Sequence, residues 1–274
     1  MTKSIKFYIN QIKEIFPNES NISNELIFFL TEQLGLNHAS IFVDEYLLNT
    51  SEENAIKDFI TQKKDGVPLD YIIQKSSFYK DDFYVDARVL VPRPETEILV
   101  DYINNLNLEP RTKILDAGVG SGCIGISIAK YNPDILVFGI DYSFGALEVA
   151  KINSNNQKLD NFYLINADWL DCINNKTFNI IVSNPPYIAP SDPHLEKLTH
   201  EPSSALIAYE NGLKDIKFIS NQASKILVDD GLLAFEHGFD QSDSVEKILT
   251  ESGLTKISLL KDYQSHPRFT IAKK

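Results

Sequence analysis

From about residue 91 onward, the sequence alternates between short apolar runs and helical stretches, and this alternation constrains the fold more than any other feature. Apolar runs of strand length lie at 113–117, 135–140, 162–167, 178–183 and 231–236. The stretches typical of helices lie at 95–106, 122–131, 143–155 and 212–228. Strands that alternate with helices predict an α/β fold, with a mostly parallel sheet covered by helices on both faces. Ligands bind such sheets beyond the carboxyl ends of the strands, so the candidate site residues are sought there.

The residues before about position 64 follow a different pattern, typical of a small helical bundle. Apolar side chains recur at helical spacing at Ile5, Ile9, Ile12 and Phe16. A second apolar segment, 26–34, ends at Gly35. A further helix is predicted to begin at Thr50, where Thr50 and Glu53 fit a capping box, and to end at 63–66.

Between these two patterns lies a segment rich in aromatic and β-branched residues, 71–90, interrupted by the polar residues 80–82. Such a segment predicts a β-hairpin. The chain is therefore expected to divide into a helical domain over 1–70, a linking hairpin over 71–90 and an α/β domain over 91–274.

Composition narrows the classes of function. The formal net charge of −12 and the presence of only four arginines argue against tight binding to bare nucleic acid, whose phosphates require clustered cations. Cys123 and Cys172 lack metal-binding or CxxC spacing and are expected to be free thiols, and the histidines show no metal-binding spacing. No apolar run approaches the ~18 residues of a membrane span, and no signal segment is visible. We expect a cytoplasmic, soluble protein without metal, and a monomer.

The end of the first strand carries a glycine-rich loop with the sequence DAGVGSG. Read from Gly120, the chain even satisfies the dinucleotide fingerprint, with Asp141 about 20 residues downstream as the ribose-binding acid. In that register, however, the strand would have to run through Asp116 and Gly118, and the Asp116 carboxylate would repel the pyrophosphate. S-adenosylmethionine has no phosphate and carries two cationic groups that a carboxylate attracts. The alternative to a cofactor-binding loop is a glycine-rich turn that serves only packing.

The ends of the next two strands add further candidates for cofactor contacts. Asp141 can accept hydrogen bonds from both ribose hydroxyls, although the cap of the following helix would explain the same residue. Asp168 is a candidate acceptor for the adenine amine, and Trp169 a flat wall for the adenine ring. A sole tryptophan is, however, more often a core anchor.

The stretch NPPY follows the fourth strand at Asn184, Pro185, Pro186 and Tyr187. The prolines fix φ and remove two donors, so nearby carbonyls and the Asn184 side-chain oxygen form a rigid set of acceptors suited to an NH2 group. An amide nitrogen held in this way could be aimed at an activated methyl group, with Tyr187 packed against its plane. An Asn-Pro turn that merely ends a strand is the alternative.

Five motifs in order carry a family resemblance: VPRPETE at 91–97, DAGVGSG at 116–122, NPPYI at 184–188, EPSSAL at 201–206 and EHG at 236–238. With them the chain resembles the HemK/PrmC family of peptide-release-factor glutamine methyltransferases over nearly its whole length. NPPY is shared with amino-methyltransferases of DNA adenine and ribosomal-RNA guanine, which leaves that activity as an alternative. A non-catalytic module that binds the cofactor or a partner is a second alternative.

The resemblance implies a seven-stranded, Rossmann-like class I methyltransferase sheet with a small N-terminal helical bundle. It implies methyl transfer from S-adenosylmethionine to the glutamine of the Gly-Gly-Gln (GGQ) loop of release factors, which the N-terminal helices help to dock. The implied cofactor contacts are Gly118, Val119, Gly120, Ser121, Gly122, Asp141, Trp169 and Asn184. Asn184, Pro185, Pro186 and Tyr187 would receive the glutamine, and Asn184, Pro185 and Tyr187 are the predicted catalytic residues.

Three places in the motifs lack an assigned role. We hypothesise that the segment around Arg93 closes over the cofactor at the joint between the domains. Glu236 is expected at a strand end, either as an acid near the site or as a buried carboxylate satisfied by backbone N–H groups. The segment 261–270 has Ser265, His266 and Pro267 where the family is expected to have a glycine-containing form, which leaves the local turn undefined.

Overall fold

The computed structural model describes residues 3–37, 41 and 46–274. The chain forms two compact units, Met1–Gln74 and Lys75–Lys274. The hairpin predicted within 71–90 belongs to the second unit, and its strands are β1 (Ser76–Phe78) and β2 (Asp81–Phe83). These strands pair antiparallel, and the rings of Phe78 and Phe83 are buried with their centroids 6.0 Å apart.

The first unit is a small bundle of helices: α1 (Ile5–Ile15), α2 (Ile22–Leu34), α3 (Thr50–Lys64) and α4 (Leu69–Ile73). Its core contains Ile12, Leu30 and Phe59, each fully buried. Gly35 ends α2 in the left-handed conformation, with φ of 64°, as its position in the sequence indicates.

The helix α3 begins at Thr50 as predicted, but the predicted capping box is wrong by one residue. The box is formed by Asn49 and Glu52: the Glu52 N–H donates to Asn49 Oδ1 at 3.0 Å, and the Asn49 N–H donates to Glu52 Oε2 at 2.7 Å. An N-cap residue lies outside the helical region of φ and ψ, as Asn49 does at −76° and 170°, whereas Thr50 already belongs to the helix.

The second unit contains a seven-stranded sheet whose strands are β3 (Lys113–Ala117), β4 (Leu136–Asp141), β5 (Phe162–Asn166), β6 (Phe178–Ser183), β7 (Leu227–Glu236), β8 (Thr255–Lys261) and β9 (Pro267–Lys273). A 3-10 turn at Pro94–Thr96 directly precedes the first helix of this unit, α5 (Glu97–Asn104). The further helices are α6 (Cys123–Tyr131), α7 (Phe144–Asn156), α8 (Tyr209–Gly212), α9 (Lys214–Ile226) and α10 (Ser242–Glu251). The predicted seven-stranded, mostly parallel sheet is confirmed. Spatial order is β5-β4-β3-β6-β7-β9-β8, and only β9 pairs antiparallel with its neighbours.

Alternation along the central strands explains why helices cover both faces. Ile114, Val182 and Ala234 point to one cluster, which also contains side chains of α5, α6 and α7. Their neighbours Leu115 and Leu233 point to the opposite cluster, which contains side chains of α9 and α10. Because both faces of these strands are buried, the strands are continuously apolar in the sequence.

The strand order reverses between β3 and β6. From β3 the chain continues to β4 and β5 on one side, and it then returns to form β6 on the other side of β3. Ala117 and Ser183 are paired at the last position of the two strands. The crevice beyond their carboxyl ends is the place where such a sheet binds ligands. The glycine loop and the NPPY stretch both begin there.

The turn between β8 and β9 accounts for the unusual segment 261–270. Ser265 takes the left-handed conformation, with φ of 68°, in which a glycine is the ordinary choice. Asp262 Oδ1 compensates by accepting the N–H groups of Gln264 and His266, each at 2.9 Å. This carboxylate therefore holds the turn without a glycine.

Candidate functional site

The glycine loop leaves β3 in a conformation that only glycine adopts readily. Gly118, Gly120 and Gly122 have φ of 76°, 52° and 83°. At Gly118, an added Cβ atom would lie 3.3 Å from the ring of Trp169. The loop therefore brings backbone to within contact distance of an aromatic wall, and a side chain at Gly118 would occupy that space.

The N–H groups of this loop are already engaged by acceptors of the protein itself. Gly118 and Val119 both donate to the Ile140 carbonyl at 2.9 Å, and Gly120 donates to Asp141 Oδ2 at 3.0 Å. A pyrophosphate needs such N–H groups free and prefers no carboxylate beside it. The loop is thus a poor phosphate cradle, which agrees with the preference for S-adenosylmethionine over a dinucleotide.

Asp141 is fixed at the end of β4 rather than at the start of a helix. Its Oδ1 accepts the Ser143 N–H at 2.9 Å, and burial raises the pKa of its carboxyl while backbone hydrogen bonds oppose the shift. The N-cap of α7 is Ser143, whose hydroxyl accepts from the Ala146 N–H at 3.2 Å. The alternative interpretation of Asp141 as the helix cap is therefore wrong.

A cavity opens at this edge of the sheet. Among the predicted site residues it is lined by Gly118, Val119, Gly120, Ser121, Asp141, Trp169, Asn184 and Pro186. The segments 88–93 and 202–205 contribute further parts of the lining.

Other predicted site residues lie beside this cavity and do not contribute to its lining: Asp116, Gly122, Asp168, Pro185 and Tyr187. Asp168 is exposed and lies in an outer depression next to the cavity, where Trp169 contributes to both walls. Gly122 supports the loop from behind, because an added Cβ would meet the Ile126 side chain at 2.6 Å.

Asp116 is almost completely buried at this edge. Its Oδ2 accepts the Gly125 N–H at 2.9 Å, whereas its Oδ1 has no hydrogen-bond partner in the part of the chain that the structure describes. Burial raises the pKa of Asp116 to about 8, and the negative charge of Asp141 contributes in the same direction. Asp116 is therefore poised to ionise when positive charge arrives nearby.

Both arginines on the cavity wall are paired with carboxylates. Arg88 is 2.7 Å from Asp86 and 3.0 Å from Glu148. Arg93 is paired with Glu201 at 2.5 Å. Among the described residues that line the cavity, no cation is left to bind a phosphate.

Glu201, in the EPSSAL motif, organises the segment that contains Arg93. Its other oxygen, Oε2, accepts the Val91 N–H at 3.0 Å, and its side chain is only 3% exposed. One buried carboxylate thus joins two of the family-specific motifs over a sequence separation of 108 residues. Sequence analysis did not assign Glu201; a single acid in an otherwise small and apolar motif was the available signal.

The NPPY stretch is anchored at both ends. Ser183 Oγ donates to the Ala117 carbonyl at 2.6 Å, and Pro185 and Pro186 are both buried. After them, the Tyr187 hydroxyl donates to Glu236 Oε1 at 2.9 Å, and the Arg268 guanidinium lies 5.7 Å from the ring centre. The backbone of this stretch is therefore held rigidly, as its prolines predict.

Asn184 is held through its amide nitrogen. Nδ2 donates to Thr96 Oγ1 at 3.3 Å, and the Thr96 hydroxyl donates to Glu236 Oε2 at 2.6 Å. Thr96 is 2% exposed and Glu236 is fully buried. Sequence analysis missed Thr96, although its place inside VPRPETE was a signal. Since the nitrogen is engaged, the Asn184 Oδ1 atom is the acceptor left to the cavity.

Glu236 receives side-chain donors rather than the backbone N–H groups that one sequence interpretation proposed. Thr96 and Tyr187 donate to its two oxygens, and Arg268 Nη2 lies 4.0 Å from Oε1. Burial raises the pKa of Glu236, while the Thr96 hydrogen bond and the Arg268 charge lower it. The carboxylate is thus the final acceptor of a buried network.

Among the residues that the structure describes, no group of three or more His, Cys, Asp or Glu side chains has a geometry that could hold a metal ion. No helix in the described part of the chain combines the length and apolar character needed to cross a bilayer.

Comparison with known sequences finds one family repeatedly. Residues 94–202 match the family described as "Methyltransferase small domain". The chain is similar to the release factor glutamine methyltransferase of Coxiella burnetii, with 34% identity over 84% of this chain and 83% of that protein. It is 33% identical to that of Buchnera aphidicola over 99% of both chains, and 32% identical to that of Escherichia coli over 78% of both.

Solved structures confirm the fold at low sequence identity. A methyltransferase from Pyrococcus furiosus superposes with a TM-score of 0.55 and 15% identity, over 81% of this chain and 98% of that one. TYW2 from M. jannaschii, solved with AdoMet, superposes with a TM-score of 0.51 and 16% identity, over 73% and 84%. The sheet is therefore that of known methyltransferases.

Proposed function

The chain belongs to the release factor glutamine methyltransferase family, and we propose that it transfers a methyl group from S-adenosylmethionine to the side-chain amide nitrogen of a glutamine in a peptide chain release factor. The glutamine is that of the GGQ motif, and its methylation modulates translation termination. The observation that carries this proposal is that four of the five motifs line one cavity, with the Asn184 amide oxygen left as an acceptor in its wall. The fifth motif, EHG, is joined to the cavity wall by the hydrogen bond from Thr96 to Glu236.

The cavity suits S-adenosylmethionine. When bound, this cofactor supplies a methyl group activated by a sulfonium. Asp141 keeps lone pairs on both oxygens after its two backbone hydrogen bonds, and these would accept the ribose hydroxyls. Gly118, Val119, Gly120, Ser121 and Gly122 would provide close backbone approach, Trp169 would pack on the adenine, and Asp168 would lie at the rim. Asp116 would contribute long-range attraction for the positive charges.

The acceptor amide requires orientation more than it requires a base. An amide nitrogen is a weak nucleophile because its lone pair is delocalised into the carbonyl. Asn184 Oδ1 and the rigid carbonyls around Pro185 would accept its two N–H bonds and hold the nitrogen at near-attack distance, about 3 Å from the methyl. Formation of the N–C bond would break the methyl–sulfur bond and leave S-adenosylhomocysteine, and the extra proton on the methylated nitrogen would then pass to water. Pro186 would line the passage, and Tyr187, which lies beside the cavity with its hydroxyl bound to Glu236, would support the backbone carbonyls around Pro185.

The helical domain over residues 1–70 would help to dock the release factor, because the α/β unit alone contains the cavity and the motifs of the reaction. The hairpin over 71–90 would then connect this docking domain to the methyltransferase domain over 91–274. We propose a monomer located in the cytoplasm, where release factors act on ribosomes.

The decisive test uses methyl-labelled S-adenosylmethionine, the full-length protein and a release factor. Label should appear in the GGQ loop and disappear when its glutamine is changed to alanine. Label that persists in the altered release factor would contradict the proposal. Transfer to DNA or ribosomal RNA in parallel reactions would instead favour the amino-methyltransferase alternative.

The Asn184→Ala variant separates an enzyme from a binding module. Loss of a preorganised polar contact to the reacting group typically lowers kcat by about 10²–10³-fold. Release-factor binding, measured by calorimetry, should change little. A variant that keeps normal turnover would show that Asn184 does not act on the reacting amide.

A further inference from the structure

The buried network behind Asn184 has a fixed direction of hydrogen-bond donation. The Tyr187 hydroxyl donates to Oε1 of Glu236 at 2.9 Å and Arg268 lies 4.0 Å from the same atom, and both favour the ionised carboxylate. A carboxylate has no proton to give, so Oε2 accepts from Thr96, at 2.6 Å. The single Thr96 proton is then used, and its oxygen is left to accept from Asn184 Nδ2, at 3.3 Å. The asparagine amide therefore cannot rotate by half a turn without placing two acceptors against each other.

We infer that Thr96 and Glu236 are positioning residues that set the orientation of the Asn184 amide and thereby make the pocket selective for an NH2 acceptor over a carboxylate. This inference rests on the proposed function. An Asn184 amide in the observed orientation presents Oδ1, which accepts from an NH2 group. The reversed amide would present Nδ2, which binds an oxygen and repels an NH2 group.

The surroundings of Glu236 explain why this carboxylate stays an acceptor on the Thr96 side. On its other oxygen, Oε1, the Tyr187 hydroxyl donates at 2.9 Å and Arg268 lies at 4.0 Å. Two donors and a positive charge therefore converge on one buried carboxylate. A substitution that removes the negative charge of Glu236 but keeps the shape of its side chain should reverse the direction of hydrogen-bond donation and leave the hydrogen bonds in place.

Glu236→Gln is the informative variant. Arg268 and the Tyr187 hydroxyl favour the amide oxygen of the new side chain on their side, which places its NH2 group against Thr96. The Thr96 oxygen would then accept, and its proton would be donated to Asn184. This reverses the Asn184 amide while the number of hydrogen bonds is conserved.

The experiment compares full-length wild-type protein with Glu236→Gln, Thr96→Val and Thr96→Ser in methyl transfer to a release factor. Glu236→Gln should lower kcat by roughly 100-fold, the scale of losing one preorganised contact to a reacting group. The KM for the release factor should change much less. Thr96→Val, which removes the hydroxyl, should show the same loss, and Thr96→Ser should recover most of it.

A second readout tests selectivity directly. A release factor whose loop glutamine is replaced by glutamate should inhibit Glu236→Gln more strongly than it inhibits wild type, because a presented Nδ2 binds a carboxylate. Ser220→Ala is the matched control: Ser220 is buried and donates to Ile216 at 2.7 Å, within α9. S-adenosylmethionine affinity, measured by calorimetry without release factor, should be unchanged in Glu236→Gln.

The outcomes are distinct. If wild type labels no release factor, the proposed function fails. If wild type is active and Glu236→Gln keeps kcat within about threefold, or Thr96→Ser is no better than Thr96→Val, the inference is overturned. Should Glu236→Gln lower the unfolding temperature, the comparison of Thr96→Val with Thr96→Ser decides alone.

Discussion

Replacement of Glu201 by alanine should destabilise the α/β unit more than replacement of its charged partner Arg93. Glu201 is buried and accepts two hydrogen bonds, from the Val91 N–H at 3.0 Å and from the Arg93 guanidinium. Without the carboxylate, the buried Val91 N–H loses its acceptor, which costs about 1–3 kcal/mol. Arg93 is 33% exposed and regains water, so its pairing contributes at most about 1 kcal/mol.

The expected cost of Glu201→Ala is therefore about 1–4 kcal/mol, and that of Arg93→Ala about 1 kcal/mol or less. Since 1 kcal/mol shifts the unfolding temperature by roughly 2–4 °C for a domain of this size, Glu201→Ala should unfold about 2–16 °C below wild type. Glu201→Gln, which keeps an oxygen for Val91, should fall between the two. Calorimetry or thermal circular dichroism measures all three variants.

The cofactor readout follows from the same geometry. Pro92 and Arg93 line the cavity, so a displaced segment should weaken S-adenosylmethionine binding in Glu201→Ala more than in Arg93→Ala. If Arg93→Ala proves as destabilising as Glu201→Ala, the main energetic contribution comes from the ion pair and the argument from Val91 is refuted. If Arg93→Ala leaves cofactor affinity and turnover unchanged, Arg93 does not help to close the cavity.

Three further outcomes can be measured. Gly212→Ala should cost at least about 2 kcal/mol of unfolding free energy, because φ is 82° and the new Cβ would lie 2.0 Å from the Tyr187 carbonyl oxygen; unchanged stability would contradict this. Gly118→Ala should weaken S-adenosylmethionine binding by roughly tenfold in calorimetry, because its Cβ would lie against Trp169; full affinity would place the cofactor elsewhere. Relative to Asp116→Asn, wild type should lose free energy of unfolding as pH rises from 5 to 8, by up to about 1.4 kcal/mol per pH unit. The reason is that the pKa of Asp116 is about 8 in the native state and lower in the unfolded state. Denaturant titrations measure both proteins, and parallel pH profiles would refute this expectation.

Much of the central sheet could be predicted from the sequence because its central strands β3 and β6 are buried on both faces. The segments 113–117 and 178–183 coincide with β3 and β6, and their apolar runs leave no solvent face to interrupt the pattern. The strand β8 was not assigned from the residues because most of its side chains are partly or fully exposed. Exposed positions need not be apolar, so the sequence of β8 lacks the continuous apolar run that marks a buried strand.

The site was predictable where the backbone imposes a residue type. A positive φ at Gly118 and the two prolines after Asn184 are local requirements, so they are visible in the sequence. The role of Asp141 could not be separated from that of a helix cap, because Asp141 and Ser143 lie two residues apart and both suit that position. Coordinates were needed to assign the cap to Ser143.

The sequence by itself determined the order of the strands β3 to β7 and of the helices between them, the glycine loop and the NPPY stretch, because each depends on interactions among near neighbours. Only the tertiary structure decided whether the Asn184 amide presents its oxygen or its nitrogen to the cavity. That orientation depends on Thr96, 88 positions away, and on Glu236, 140 positions from Thr96. Each hydrogen bond fixes which atom donates in the next one only where the side chains touch, and Asn184, Thr96 and Glu236 come into contact only when the chain folds.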